Sequence, residues 1–273
     1  MSRKTKKKLG RVVLYLLVLL IVISVVAPFA WMVISSISTK ADLLKRPMRW
    51  FPEHPTFGNY KAMLFGTTGK TTDAASQFLS ALKNSLIITL TVTFIALAIG
   101  LIASYGFSRF RFRGRTLMLN TTLFTQMIPP IAIIIPMYTI MLRLRLLDTK
   151  WALIITYLSF VLPYLIWLLK GYIDGIPMEM EEAAMIDGCS KMRAFFSVAF
   201  ILSWNEFFYA VNFTSTTAAK TLPVLITEFS SKFGADFIMA CTAGVLASLP
   251  PVLISLIFQR YIISGLSAGA VKG

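Results

Sequence analysis

Long apolar runs alternate with short charged stretches along this chain. The first run, 12–37, carries no charge and contains Pro28. Others follow at 84–107, at 116–142 with Pro129, Pro130 and Pro136, at 151–169 with Pro163, and at 237–258 with Pro250 and Pro251. Each is close to or above the roughly 20 residues that a helix needs to cross a bilayer core of about 30 Å. Internal prolines bend such helices, and neighbouring helices accommodate the carbonyls they free. A weaker run, 194–213, contains Asn205 and Glu206. With it counted, the pattern predicts an all-α, polytopic membrane protein of six spans.

Composition agrees. Apolar residues make up 56% and charged residues 14%, with a mean hydropathy of +0.73, which excludes an ordinary soluble domain. Lys and Arg outnumber Asp and Glu by 27 to 12. Six of these cations, Arg3, Lys4, Lys6, Lys7, Lys8 and Arg11, stand at the border of the first run, where anionic lipid holds them on the cytoplasmic side. No basic face with interleaved aromatics accompanies them, so nucleic acid is not an expected partner, whereas membrane lipid is. The first run is too long for the apolar core of a signal peptide and reads as a retained helix.

Orientation follows from the same charges. A basic N-terminus, 1–11, lies inside, as do Arg109, Arg111, Arg113 and Arg115 between the second and third runs. Outside fall Arg143, Arg145, Lys150, Lys220 and Lys232, and a polar, proline-containing loop, 38–83. Six spans return Arg260 and Lys272 to the cytoplasm. The expected division is therefore a membrane domain, 12–262, with a cytoplasmic loop at 170–193, and a cytoplasmic tail, 263–273.

Familiar catalytic chemistry is not found. Gly69-Lys70-Thr71 resembles the end of a phosphate-binding loop, but Leu64 stands where its first glycine belongs and the segment is external. His54, the single histidine, sits beside Glu53 without further ligands, which excludes a credible metal site or nucleophile triad. Cys189 and Cys241 show neither metal nor disulfide spacing and read as buried small residues.

The informative segment is the loop after the fourth run. Glu179, Glu181 and Glu182 precede Ala183, Ala184 and Met185, and Asp187-Gly188 follows. Acids early, helix formers next and a terminal glycine describe a short amphipathic helix lying against the membrane or a cytoplasmic partner. Glu182-Ala183-Ala184 with Asp187-Gly188 resembles the EAA loop of bacterial ABC importer permeases. Asn59-Tyr60, Asn84-Ser85, Ser104-Tyr105-Gly106-Phe107-Ser108-Arg109 with Gly114-Arg115, and Trp204-Asn205-Glu206-Phe207 stand at places like those of the maltose-type carbohydrate permeases. The tail from Phe258-Gln259-Arg260 through Gly265-Leu266 to Gly273 completes a likeness to the second permease subunit of that group.

One departure stands out. Members of that family carry a Leu-Pro pair, a Pro-Gly and most of a span between the EAA glycine and the Trp-Asn motif. Here only sixteen steps separate Gly188 from Trp204, so about half a helix is missing near Phe195 and Val198.

The resemblance implies a type I importer bundle without an ATPase site of its own. It implies four kinds of partner: a homologous permease, an ABC ATPase dimer carrying ATP and Mg, an extracytoplasmic sugar-binding protein and the bacterial inner membrane. Coupling to the ATPases would rest on Glu181, Glu182, Ala183, Ala184, Asp187 and Gly188, with Gly269, Ala270, Val271, Lys272 and Gly273 also reaching them. For the substrate pathway, polar groups within spans are the candidates: Trp204, Asn205, Glu206 and Gln126. An ion-coupled secondary transporter is the competing expectation. It would need intramembrane acids or broken helices in two repeated halves, and Glu206 is the one intramembrane acid, with no inverted repeat.

Overall fold

A computed structural model describes residues 3–45, 50–66, 73–175, 192–231 and 234–270. Twelve helices and one short hairpin occur among them: α1 (Arg3–Ser36), α2 (Lys40–Leu44), α3 (Gly58–Phe65), α4 (Asp73–Ser76), α5 (Phe78–Arg109), α6 (Arg115–Thr125), α7 (Pro130–Arg143), α8 (Lys150–Asp174), α9 (Met192–Trp204), α10 (Phe208–Phe213), α11 (Leu222–Glu228), β1 (Ser230–Ser231), β2 (Gly234–Ala235) and α12 (Phe237–Ala270). The chain falls into two compact units, Met1–Ser76 with Phe229–Leu246, and Gln77–Glu228 with Ala247–Gly273.

Four segments are long and apolar enough to cross a membrane: Gly10–Ser36, Phe78–Arg109, Lys150–Asp174 and Phe237–Gln259. They coincide with four of the expected runs. The run at 116–142 departs from expectation, because it forms two helices, α6 and α7, bent by 94° at their junction. The cause is local. Pro130 opens α7 where its missing N–H costs nothing, and Pro129 and Pro130 push the residues before them out of helical geometry. The weak run at 194–213 is also divided. Its first part, α9, is a 13-residue helix of about 20 Å, too short for the bilayer core, and the backbone breaks at Asn205–Phe207 before α10. The expected six full spans are thus four among the described residues, or five with the bent pair counted as one.

In the second unit, α5 and α8 form the centre. Ile88, Val92, Ala96, Gly100 and Ser104 recur every four residues on α5, and Leu153, Tyr157, Val161, Leu165 and Leu169 do so on α8. Stripes of that period face each other as ridges and grooves. Gly100 matters here because a Cβ at its position would already touch Leu169 and Leu165 at 3.4 and 3.5 Å. Phe195 and Ala199 of α9 and Tyr209, Ala210 and Phe213 of α10 complete this core.

In the first unit, the segment read as a polar, proline-containing loop has structure of its own. Thr39 and Asp42 form a capping box at the start of α2. Asn59 donates its amide to the carbonyls of Ser36 (2.8 Å) and Ser38 (3.3 Å), and Tyr60 bonds the Ser36 hydroxyl at 2.5 Å. This gives the Asn59-Tyr60 pair a role: Asn59 satisfies carbonyls that the end of α1 leaves open, and Tyr60 holds the Ser36 hydroxyl beside them. His54 is exposed in this segment, and Cys241, on α12, is buried. Cys189 and Gly69-Lys70-Thr71 lie outside the described residues.

Gly244 of α12 brings its backbone against Met32 of α1, so that an added Cβ would lie 2.9 Å from the Met32 sulfur. Gly244→Ala is therefore expected to cost about 1 kcal/mol, the low end for overpacking because a thioether side chain yields. Thermal unfolding in detergent would show it, and in a Met32→Ala background the Gly244→Ala increment should vanish.

Candidate functional site

The break between α9 and α10 holds three of the four pathway candidates. Trp204 ends α9 buried, stacked on Phe200 at 5.5 Å between ring centres, and Phe200 in turn stacks on Phe196. Its indole N–H donates to the carbonyl of Ala247 on α12 at 3.0 Å. That carbonyl is available for a physical reason: its helical partner would be the N–H of residue 251, and Pro251 has none. The tryptophan satisfies the carbonyl that the proline pair leaves open.

Asn205 is exposed and turns its amide back to the Ile201 carbonyl at 2.9 Å, closing the end of α9. Glu206 is half-buried. Its carboxylate accepts the backbone N–H groups of Tyr209 (2.8 Å) and Ala210 (3.3 Å), the first unpaired donors of α10. The Tyr157 hydroxyl, buried in α8, faces this carboxylate. In this structure Glu206 is a helix-end carboxylate.

Gln126 is also exposed at a break, the one between α6 and α7. Its amide reaches the Thr125 hydroxyl at 3.5 Å, and no described hydrogen bond joins it to Trp204, Asn205 or Glu206. The coupling candidates Glu181, Glu182, Ala183, Ala184, Asp187 and Gly188 lie outside the described residues, as do Val271, Lys272 and Gly273. Gly269 and Ala270 fall in the last turn of α12.

Beside the break lies a polar clamp that the sequence reading missed. Asn84, buried on α5, donates to the carbonyls of Thr217 (2.9 Å) and Lys220 (3.0 Å), and the Ser85 hydroxyl accepts the Leu222 N–H at 2.8 Å. Asp148, at φ 59°, accepts the N–H groups of Ser215 (2.9 Å) and Thr216 (3.0 Å) and the Thr216 hydroxyl (2.6 Å). Lys150 donates to the Ala218 carbonyl, and Lys220 pairs with Glu228 at 2.6 Å. Together these groups fasten the loop between α10 and α11 to the ends of α5 and α8. The one sequence signal was Asn84-Ser85, whose partners stand more than 130 residues away.

Burial pushes the Asp148 carboxyl up, but the Thr216 hydroxyl, the Thr216 and Ser215 N–H groups and the Lys220 charge outweigh it, so it lies below the usual carboxylate range. Its stabilising contribution is complete above the unfolded value near 4 and is lost as pH falls through the lower folded value. Asp148→Asn should cost about 1 kcal/mol at pH 7, modest because the site is open to solvent. It should also flatten the acid limb of the stability profile, measured as thermal midpoint against pH.

Residues 96–268 match the family described as "Binding-protein-dependent transport system inner membrane component". The chain is 34% identical to the trehalose/maltose transport system permease protein MalG of Thermococcus litoralis, over 97% of this chain and 98% of that one. It is 34% identical to the trehalose transport system permease protein SugB of Mycobacterium tuberculosis, over 90% and 92% of the two chains. The alignment with the Thermococcus protein runs to 283 positions, more than the 273 residues present here, so that relative carries residues with no counterpart in this chain. The fold is similar to that of a chain from a bacterial ABC transporter involved in the import of the acidic polysaccharide alginate. The TM-score is 0.75 at 19% identity, covering 96% of this chain and 98% of that one.

Proposed function

Because this chain belongs to the family of binding-protein-dependent transport system inner membrane components, we propose that it is the second permease subunit of an ATP-driven importer of a sugar or oligosaccharide. The observation that carries the reading is the near full-length likeness to a trehalose/maltose permease, at 34% identity. It works beside a homologous permease in the bacterial inner membrane, with both termini cytoplasmic. An external binding protein delivers the sugar, and an ABC ATPase dimer holds ATP and Mg.

The loop from Glu181 to Gly188 docks on the ATPases, and the tail from Gly269 to Gly273 adds a second contact. Closure of the ATPases on ATP favours one of two arrangements of the helix bundle, so the loop acts as a lever between two access states. The residues present in the longer relatives and missing here fall between Gly188 and Trp204, in keeping with the 13-residue length of α9.

The sugar path follows the two helix breaks. Each carries an exposed amide, Asn205 at one and Gln126 at the other, and amides supply both donors and acceptors to sugar hydroxyls. Broken helices near the bilayer midplane are suited to such sites, since irregular backbone at depth is tolerated where it lines a cavity or packs against protein. Glu206 and Trp204 hold the shape of the break.

Reconstitution tests this reading. The chain, co-expressed with a permease and ATPase encoded beside it, is expected to co-purify with both. In vesicles the complex should take up sugar only with ATP inside and binding protein outside. Uptake by this chain alone on an ion gradient would overturn the proposal.

A further inference from the structure

The turn joining α5 to α6 borders an open hollow of about 540 Å³ lined by Arg111, Phe112, Arg115, Leu117, Leu119 and Lys170. Gly114, at φ 85°, lets the chain reverse sharply enough for Arg111 and Arg115 to line the same space. Among the described residues neither arginine has a carboxylate within ion-pair distance. Lys170 does, but its partner Asp174, at 2.5 Å, also accepts the Ser108 hydroxyl at 2.6 Å. Asp174 also feels the Arg115 charge, so among the described residues one carboxylate stands against three cations and the hollow keeps a net positive charge.

Its rim is apolar and open. Of its lining, Phe112 is 43% exposed and Leu117 71%, their chain neighbours Phe110 and Met118 are exposed as well, and α6 has no buried residue. Basic groups lining the hollow and exposed hydrocarbon beside them describe neither a soluble-anion site nor an ordinary solvated turn. The level in the membrane agrees, since Arg109 and Lys170 close the apolar stretches of α5 and α8 and the arginine run marks the cytoplasmic side.

We infer that this hollow binds the headgroup of an anionic phospholipid, its phosphodiester held by Arg111 and Arg115 and its acyl chains lying along the Leu117–Met118 surface of α6. Guanidinium groups suit this because their planar forks match two phosphate oxygens at once. Basic pockets between cytoplasmic helix ends take such headgroups, and each cation near the surface contributes on the order of fivefold in affinity. The site does not depend on the importer reading.

The test uses the full chain in nanodiscs containing photoactivatable phosphatidylglycerol or photoactivatable phosphatidylcholine, with crosslinks mapped by peptide mass spectrometry. Crosslinks at 110–119 should favour phosphatidylglycerol. Arg111→Gln with Arg115→Gln should reduce that preference at least fivefold, while Arg111→Lys with Arg115→Lys should retain most of it. A large excess of inorganic phosphate should leave the crosslinks in place. Equal labelling by the two lipids in the unaltered chain overturns the proposal, even if the glutamine variant fails to fold. An undiminished preference in a folded glutamine variant does the same, and displacement by phosphate would assign the hollow to a free anion instead.

Discussion

Glu182→Lys is expected to lower coupled sugar uptake by on the order of a hundredfold while leaving the chain in the membrane. A charge reversal within a docked interface costs several kcal/mol, because the partner surface that accepted an acid then meets a cation. Two hydrolysis outcomes are compatible with the lever described above: stimulation by the binding protein is lost, or ATP turns over without transport. Glu182→Gln, which keeps shape and loses charge, should fall between the variant and the unaltered chain. Both rates are measured in the reconstituted complex, with the amount of membrane-inserted chain as the control. Uptake and stimulated hydrolysis that both stay at their original levels would remove Glu182 from the coupling element.

Asn84→Leu carries the largest expected cost in stability, about 2–4 kcal/mol. The side chain is 5% exposed and donates to two backbone carbonyls, those of Thr217 and Lys220. Leucine removes both donors and leaves the buried Lys220 carbonyl and the part-buried Thr217 carbonyl without them, and an unsatisfied buried acceptor costs about 1–3 kcal/mol. Asn84→Asp is the sharper comparison, because its shape is nearly the same but it presents acceptors to acceptors. It should be no more stable than the leucine variant. Thermal unfolding gives the magnitude, and hydrogen exchange at 214–222 gives the location, since protection there should fall first. Unchanged protection in that loop would mean that Asn84 does not hold it.

The long apolar helices were legible in the sequence because length and hydropathy alone define them. The run read at 84–107 became Phe78–Arg109, and that at 237–258 became the membrane segment Phe237–Gln259. Direction was less legible. Hydropathy does not register where a backbone turns, so 116–142 read as one bent span although Pro129 and Pro130 divide it. Asn205 and Glu206 were read as pathway residues for their polarity, and the sequence did not show the hydrogen bonds by which they also close one helix and open the next. The clamp around 214–222 was illegible for a different reason: Asp148 and Asn84 acquire meaning only from partners far along the chain. Family likeness, carried by Glu182-Ala183-Ala184 and the tail, identified the chain where periodicity alone reached no further than a polytopic membrane protein.

The shortness of α6, α7 and α9 bears on how this protein enters its membrane. An insertion machine that releases segments to lipid one at a time selects for length and apolarity, and helices of 11, 14 and, among the described residues, 13 residues offer too little of the first. None of the three satisfies that criterion alone. Each must be released together with, or after, a neighbour already in the bilayer, and α5 and α8 are the surfaces against which α6 and α9 settle. Synthesis order then becomes part of the folding code. A ribosome stalled before α8 is complete would leave the first half of the bent pair without its scaffold, exposed to the quality-control proteases of the membrane.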